Sequence, residues 1–66
     1  EKLYSYIADI KDQRKKQILI MRYGLYDTEP LTQREIAQKL GISRSYVSRI
    51  ETKAIEELRE LFGVNR

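Results

Sequence analysis

The 66-residue chain contains neither cysteine nor histidine, and these two absences exclude several classes of function. Without cysteine it has no disulfide framework, no thiolate zinc site and no cysteine nucleophile. Without histidine it lacks the usual general base and a common metal-binding side chain. No glycine-rich phosphate loop occurs, and no apolar run approaches the length that spans a membrane. We therefore expect no enzyme, no catalytic residue, no metal or cofactor, and no membrane partner.

The length of the chain limits it to one domain, with a small core of marginal stability. We expect residues 1–66 to form that single domain. No segment resembles a signal peptide, which favours a cytoplasmic location. Glu1 stands where a complete protein would begin with methionine, which suggests an excised fragment.

The charge is mildly basic and unevenly distributed. The formal net charge is +3 and the pI is about 9.3, which alone is weak support for any partner. Residues 11–22 carry the basic side chains Lys11, Arg14, Lys15, Lys16 and Arg22 against the single acid Asp12. The chain after Lys53 instead carries Glu56, Glu57 and Glu60 alongside Arg59 and Arg66. This distribution suggests that the basic side of the domain faces DNA and that its other side serves something else. Charge runs alone, however, usually mark a solvated surface.

The most informative segment is QREIAQKLGISRSYVSRIET, residues 33–52, which matches a helix-turn-helix unit. Gly41 can adopt the left-handed conformation that ends one helix, and Ser43 can cap the next. Ala37 is small where two crossing helices come closest. A helical hairpin without a ligand is the alternative, but the spacing and the polar outer face together favour DNA binding. The inward-facing apolar positions are Ile36, Ala37, Leu40, Ile42, Val47 and Ile50.

The outer face of the second helix of this unit is polar. Arginine can pair with guanine O6 and N7, and serine or threonine can donate or accept hydrogen bonds. No carboxylate lies on this face, because Glu51 falls to its side. A solvated surface is the alternative, and the helix-turn-helix context makes DNA contact the preferred interpretation. The outward-facing residues are Arg44, Ser45, Ser48, Arg49 and Thr52.

Helical periodicity and capping signals predict four helices and no strands. The fold class is therefore all-α: a small four-helix domain with a C-terminal helix-turn-helix over about residues 32–52. The first predicted helix covers about residues 2–10. The second follows the cap Asp12 and ends at Tyr23, before Gly24. The third starts at the capping box of Thr32 and Glu35, and the fourth follows Ser43 and ends at Phe62, before Gly63.

The fourth helix is longer than a bare helix-turn-helix requires. Its apolar stripe continues through Ala54, Ile55, Leu58, Leu61 and Phe62, and part of it must pack on the second helix. Two interpretations of the remainder stay open. Either the stripe is wholly structural, or Ile55 and Phe62 form an exposed apolar patch with Tyr23 and Leu25.

Two stretches of the chain resemble region 4 of bacterial RNA polymerase sigma factors. These are ILIMRYGL, residues 18–25, and LTQREIAQKLGISRSYVSRIE, residues 31–51, followed by KAIEEL. The resemblance covers about residues 11–62, and residues 32–51 are most similar to the sporulation factors of the sigma-K and sigma-E type. The same motif is similar to that of Cro-like repressors. In those, however, the recognition helix usually ends soon after the glutamate, and a segment like MRYGL is not expected.

The resemblance implies a winged-helix-like architecture without a wing, which reads the −35 promoter element in the major groove of double-stranded DNA. It implies docking on the flap of the polymerase β subunit, and an anti-sigma factor or a transcription activator as a further partner, in the bacterial cytoplasm at the nucleoid. The implied base-facing residues are Arg44, Ser45, Ser48 and Arg49. The implied backbone-contacting residues are Arg14, Arg22, Gln33, Arg34 and Lys53. The implied flap-contacting residues are Leu19, Tyr23, Leu25, Ile55 and Leu58.

One departure from the housekeeping sigma pattern bears on specificity. Ser45 and Ser48 stand where those factors carry charged residues, and Arg49 stands where they carry glutamine. We therefore expect a different −35 sequence. Three rival interpretations remain: a stand-alone Cro-like repressor, a protein-binding adaptor that has lost DNA contact, and a designed or truncated scaffold.

Overall fold

Four consecutive helices account for most of the chain. The computed structural model describes residues 2–63, apart from the side chain of Phe62. The helices are α1 (Lys2–Asp9), α2 (Gln13–Tyr23), α3 (Gln33–Leu40) and α4 (Arg44–Phe62). Residues 2–63 contain no strand, and the predicted all-α class is confirmed. The first helix ends at Asp9, one residue before the predicted end.

Short polar side chains start three of the helices, at the predicted positions. The Asp12 carboxylate accepts hydrogen bonds from two backbone N–H groups of the first turn of α2, at 3.0 and 3.2 Å. Thr32 and Glu35 form a reciprocal capping box at α3. The Ser43 hydroxyl accepts from the backbone N–H of Tyr46 at 3.1 Å and caps α4. Each cap satisfies backbone donors that the helix itself leaves without acceptors.

Glycines in the left-handed conformation end the same three helices. Gly24 has a φ of 62° and Gly41 a φ of 69°, a region that costs other residues steric strain. At Gly24 a side chain would also collide, because a Cβ would lie 2.8 Å from Pro30 Cδ and the Thr28 carbonyl oxygen. At Gly41 the space is open, so backbone conformation alone favours glycine in the turn between α3 and α4.

The helix-turn-helix core joins α2, α3 and α4. Its buried members are Ile18, Ile36, Ala37 and Val47. Partly buried side chains pack around them, among them Leu40, Ile42 and Ile50, so the predicted inward face is confirmed. Ala37 is 7% exposed between α3 and its neighbours, where a larger side chain would hold the helices apart.

A second apolar cluster, the α1 core, holds the first helix against α2 and α4. Its buried members are Tyr6, Ile7, Leu19, Leu25 and Ala54. Leu25 is only 6% exposed, so the interpretation that places it in an exposed apolar patch, one of the two left open by the sequence, is wrong for this residue. It is buried because it packs in the same cluster as Ile7 of α1. Phe62, also assigned to that patch, has a side chain outside the described part of the structure.

Residues 2–63 contain no helix that is both long and apolar enough for a bilayer crossing. In the same residues, no group of three or more acidic side chains is arranged to hold a metal ion.

Candidate nucleic-acid interface

A shallow groove lies along the first two turns of α4, beside Gln33 at the start of α3. Its volume is about 530 Å³. Ser43 caps α4, and Arg44 and Ser45 of the first turn line the groove, so the positive end of the helix dipole there favours anionic ligands. The turn at Gly41 sets the angle between the two helices. The groove is lined by Gln33, Arg44, Ser45, Ser48 and Arg49. All four predicted base-facing residues therefore share one surface with one of the predicted backbone-contacting residues.

The two arginines of the groove keep their charge available for a ligand. Arg44 and Arg49 are exposed, and neither forms an ion pair with another residue of the described chain. Thr52, predicted to face the same way, is also exposed. A groove that offers two planar cationic donors and two hydroxyl groups suits base edges and phosphate oxygens.

The remaining predicted backbone-contacting residues fall into two kinds. Arg14, Arg34 and Lys53 are exposed. Arg22 is instead tied into the domain: its Nε donates to Glu51 at 3.2 Å, and its Nη1 donates to the carbonyl oxygen of Leu31 at 3.3 Å. Its Nη2 group donates to no described residue, so Arg22 still has a donor to offer.

Glu51 is the residue that sequence reasoning missed. The sequence placed it to the side of α4 and assigned it no role, whereas it is 9% exposed. Its Oε1 accepts from the Gln33 amide at 2.7 Å as well as from Arg22, and its Oε2 accepts from the Tyr23 hydroxyl at 3.3 Å. One carboxylate therefore links α2, the start of α3 and α4.

The hydrogen bonds of Glu51 with Arg22, Tyr23 and Gln33, the Glu51 network, restrain one side of the groove. Gln33 lines the groove and also donates to Glu51, so its position depends on that carboxylate. Burial and the charge of Glu51 raise the pKa of the Tyr23 hydroxyl, which keeps the hydrogen bond donor protonated. A signal for its burial was present in the sequence and was overlooked: Glu51 follows Val47 by four residues and precedes Ala54 by three, so it shares their inward side, and a glutamate there needs buried donors.

The predicted flap-contacting residues lie close together, but only some of them are accessible at the surface. Leu19, Tyr23, Leu25 and Leu58 all belong to the α1 core or its border. Leu19 is 1% exposed, so α1 covers it as it covers Leu25. Ile55 is 36% exposed, and Tyr23 and Leu58 are partly buried. Only these three can offer area to a partner while α1 is in place.

The helix-turn-helix core, the capped turn and the polar groove define a helix-turn-helix domain of the DNA-binding class. The family model for Sigma-70, region 4, matches residues 12–60, and the chain belongs to this family. Family membership confirms the resemblance found in the sequence and decides against the Cro-like alternative. Residues 2–9, which form α1, lie outside the matched range.

Named relatives agree with the family assignment. The chain is 53% identical over 58 residues to the RNA polymerase sigma-28 factor of Bacillus thuringiensis subsp. kurstaki, covering 88% of this chain and 24% of that protein. The identity is also 53% over 58 residues with the RNA polymerase sigma-K factor of Bacillus subtilis (strain 168), covering 88% and 19%. It is 45% over 49 residues with the RNA polymerase sigma-E factor of Clostridium acetobutylicum, covering 74% and 21%. The chain thus spans about a fifth to a quarter of these relatives. No solved structure matches it significantly.

Proposed function

We propose that this domain recognises the −35 element of a promoter in the major groove of double-stranded DNA, as the DNA-reading module of a sigma factor that directs RNA polymerase. The observation that carries the proposal is the groove in which Arg44, Ser45, Ser48 and Arg49 converge at the start of α4. Family membership and the relatives' names support the same function. Such a function is non-enzymatic and belongs to the bacterial cytoplasm, at the nucleoid.

In this proposal the first two turns of α4 enter the major groove. Arg49 is exposed and unpaired within the described chain, and its planar guanidinium matches guanine O6 and N7. Ser45 and Ser48 contribute short hydroxyl contacts on the same side. Arg14, Arg34 and Lys53 meet phosphates, while Gln33 and the Nη2 group of Arg22 add contacts that leave the Glu51 network intact.

The test of base recognition is Arg49→Ala, measured by binding to a library of duplexes randomised over one helical turn. We expect a loss of about 1–3 kcal/mol on the preferred sequence and relaxed preference at one base pair. The matched control is Lys53→Ala, which should weaken binding to all duplexes alike and reduce the salt slope by about 1. A uniform loss for Arg49→Ala would assign this arginine to phosphate contact instead.

We further propose that the polymerase β flap docks on the surface formed by Tyr23, Ile55 and Leu58. Support comes from the exposure of Ile55 and from its position about three turns beyond Arg44 on α4, away from the groove-entering end. Leu19 and Leu25 then do not contact the flap themselves. They support Tyr23 and Leu58, which pack against the α1 core. An anti-sigma factor or an activator that binds the same surface would compete with the flap.

The test of flap docking is Ile55→Glu, with isolated β flap as the ligand. Because Ile55 is already about a third exposed, we expect a folded domain that keeps its DNA affinity and loses flap binding. The matched control is Leu61→Glu, which places the same charge at a 63% exposed leucine of the same helix and should leave flap binding unchanged. Circular dichroism verifies the fold. Melting of Ile55→Glu would show that Ile55 is structural, and undiminished flap binding would place the docking surface elsewhere.

A further inference from the structure

An open groove with an apolar floor lies between α2 and the segment that precedes α3. Its volume is about 700 Å³. Five α2 residues, spaced so that they share one side of the helix, form one wall, and the segment before α3 together with Lys39 forms the other. The lining comprises Gln13, Lys16, Gln17, Ile20 and Met21 of α2, with Thr28, Glu29, Leu31 and Lys39.

The floor of this groove is preformed. Ile20, Met21 and Leu31 are each partly buried, so they already have defined positions yet still present apolar area. The Leu31 backbone N–H donates to the Met21 carbonyl oxygen at 2.9 Å, and the Leu31 carbonyl oxygen accepts from Arg22. These two hydrogen bonds fasten the far wall to α2, so little ordering is needed when a ligand binds.

The rim of the groove is basic. Lys16 and Lys39 form no ion pair with any residue that the structure describes, and Glu29 is the one acidic side chain in the lining. An apolar floor between two free ammonium groups suits a ligand that combines apolar side chains with carboxylates. A phosphate backbone would leave Ile20 and Met21 uncovered. The groove also shares no lining residue with the polar groove at Arg44 and Arg49.

We propose that this groove is a docking site for an acidic amphipathic helix of another protein. Apolar side chains at i, i+3 or i+4, and i+7 of that helix would cover Ile20, Met21 and Leu31, and its flanking carboxylates would pair with Lys16 and Lys39. The flexible Met21 thioether adapts to different apolar partners. Residues 2–63 offer no sheet edge to which a strand could add, which favours a helical ligand. The proposal does not depend on DNA binding or on flap docking.

The test uses a displayed library of 16-residue helical peptides with randomised positions on one face. We expect enriched peptides to combine large apolar side chains with Asp or Glu, and their binding to perturb the methyl resonances of Ile20, Met21 and Leu31. The double variant Lys16→Glu/Lys39→Glu should lose at least tenfold in affinity. The matched control Lys11→Glu, an exposed lysine outside the lining, should retain it.

Three outcomes overturn the proposal. Enrichment of no peptide, or of basic peptides, rejects the acidic helix as ligand. Perturbation confined to α4 places the bound helix on another surface. Competition by random-sequence duplex DNA at equal affinity assigns the groove to nucleic acid. Because DNA binding by Arg49→Ala is measured separately, failure here leaves the proposed promoter recognition untouched.

Discussion

Two glutamates of α4 are bound in similar ways in two different surroundings. Glu51 accepts from a tyrosine and a cation of α2 and from a glutamine of α3. Glu57 accepts at 2.6 Å from Lys15 of α2 and at 2.6 Å from Tyr6 of α1. The Glu51 side chain is 12% exposed in its ion pair, whereas the Glu57 side chain is 41% exposed.

The difference in exposure separates the two halves of the molecule. Glu51 lies beside the helix-turn-helix core. If one of its hydrogen-bond donors is removed there, water cannot take the place of that donor at the carboxylate. Glu57 fastens α1 from the outside, where water and salt compete for both partners. The helix-turn-helix is thus held by buried polar and apolar contacts together. The attachment of α1, which lies outside the family match, relies mainly on the apolar contacts of the α1 core.

The largest expected effect is the loss of stability when a buried isoleucine is truncated in either of the two cores. Ile36 and Ile7 are each 0% exposed, so truncation to alanine should cost about 2–5 kcal/mol at either site. We expect Ile36→Ala to lower the global free energy of unfolding and to abolish DNA binding. Ile7→Ala should instead release α1 and spare α3 and α4. Amide hydrogen exchange distinguishes the two. Equal loss of protection in all four helices for Ile7→Ala would show one cooperative unit.

A smaller effect should separate the two glutamates. Glu51→Ala leaves Arg22, Tyr23 and Gln33 without their shared acceptor, and we expect a loss of about 2–4 kcal/mol in urea unfolding. Glu57→Ala removes a half-exposed pair and should cost less than about 1 kcal/mol. Glu56→Ala, an exposed glutamate on the same helix, is the control and should be nearly neutral. Similar costs for the two partnered glutamates would mean that exposure does not set their contributions.

The smallest effect is the pH dependence of the Glu57 cluster. Hydrogen bonds from Lys15 and then from Tyr6 hold the pKa of the Glu57 carboxyl below its usual value. Burial and the hydrogen bond to Glu57 raise the pKa of the Tyr6 hydroxyl, so Tyr6 remains a donor throughout the acidic and neutral range. A lowered carboxyl pKa stabilises the folded state above the usual glutamate value, and this contribution is lost as pH falls through the lowered folded value.

The measurement compares the native chain with Glu57→Gln in urea unfolding from neutral pH down to about pH 3, below the ordinary glutamate pKa. The native chain should be slightly more stable at neutral pH, and its advantage should shrink toward the acidic end. Because the carboxyl is exposed, high salt should reduce the same advantage. An advantage that grows on acidification would contradict the assigned direction of the pKa shift.

Local signals in the sequence were enough for the helix boundaries. Asp12, Ser43 and the capping box of Thr32 and Glu35 act on backbone groups within three residues, so their roles can be predicted from neighbouring letters. The left-handed glycines act equally locally. The resemblance to the family could also be recognised from the sequence, because the helix-turn-helix motif lies within one continuous stretch of the chain.

Tertiary structure decided which side chains were buried and which polar groups met. Glu51 receives donors from residues 18, 28 and 29 positions away, and no periodicity within α4 encodes those distances. Leu25 is buried because α1 packs over it, although a leucine in a turn-rich loop has the pattern of an exposed residue. The sequence by itself determined the four helices, the turn and the polar face of α4, since each depends on residues a few positions apart. Only the packed fold decided the buried carboxylate, the covered leucines and the basic-rimmed groove, since these require segments distant in sequence to meet.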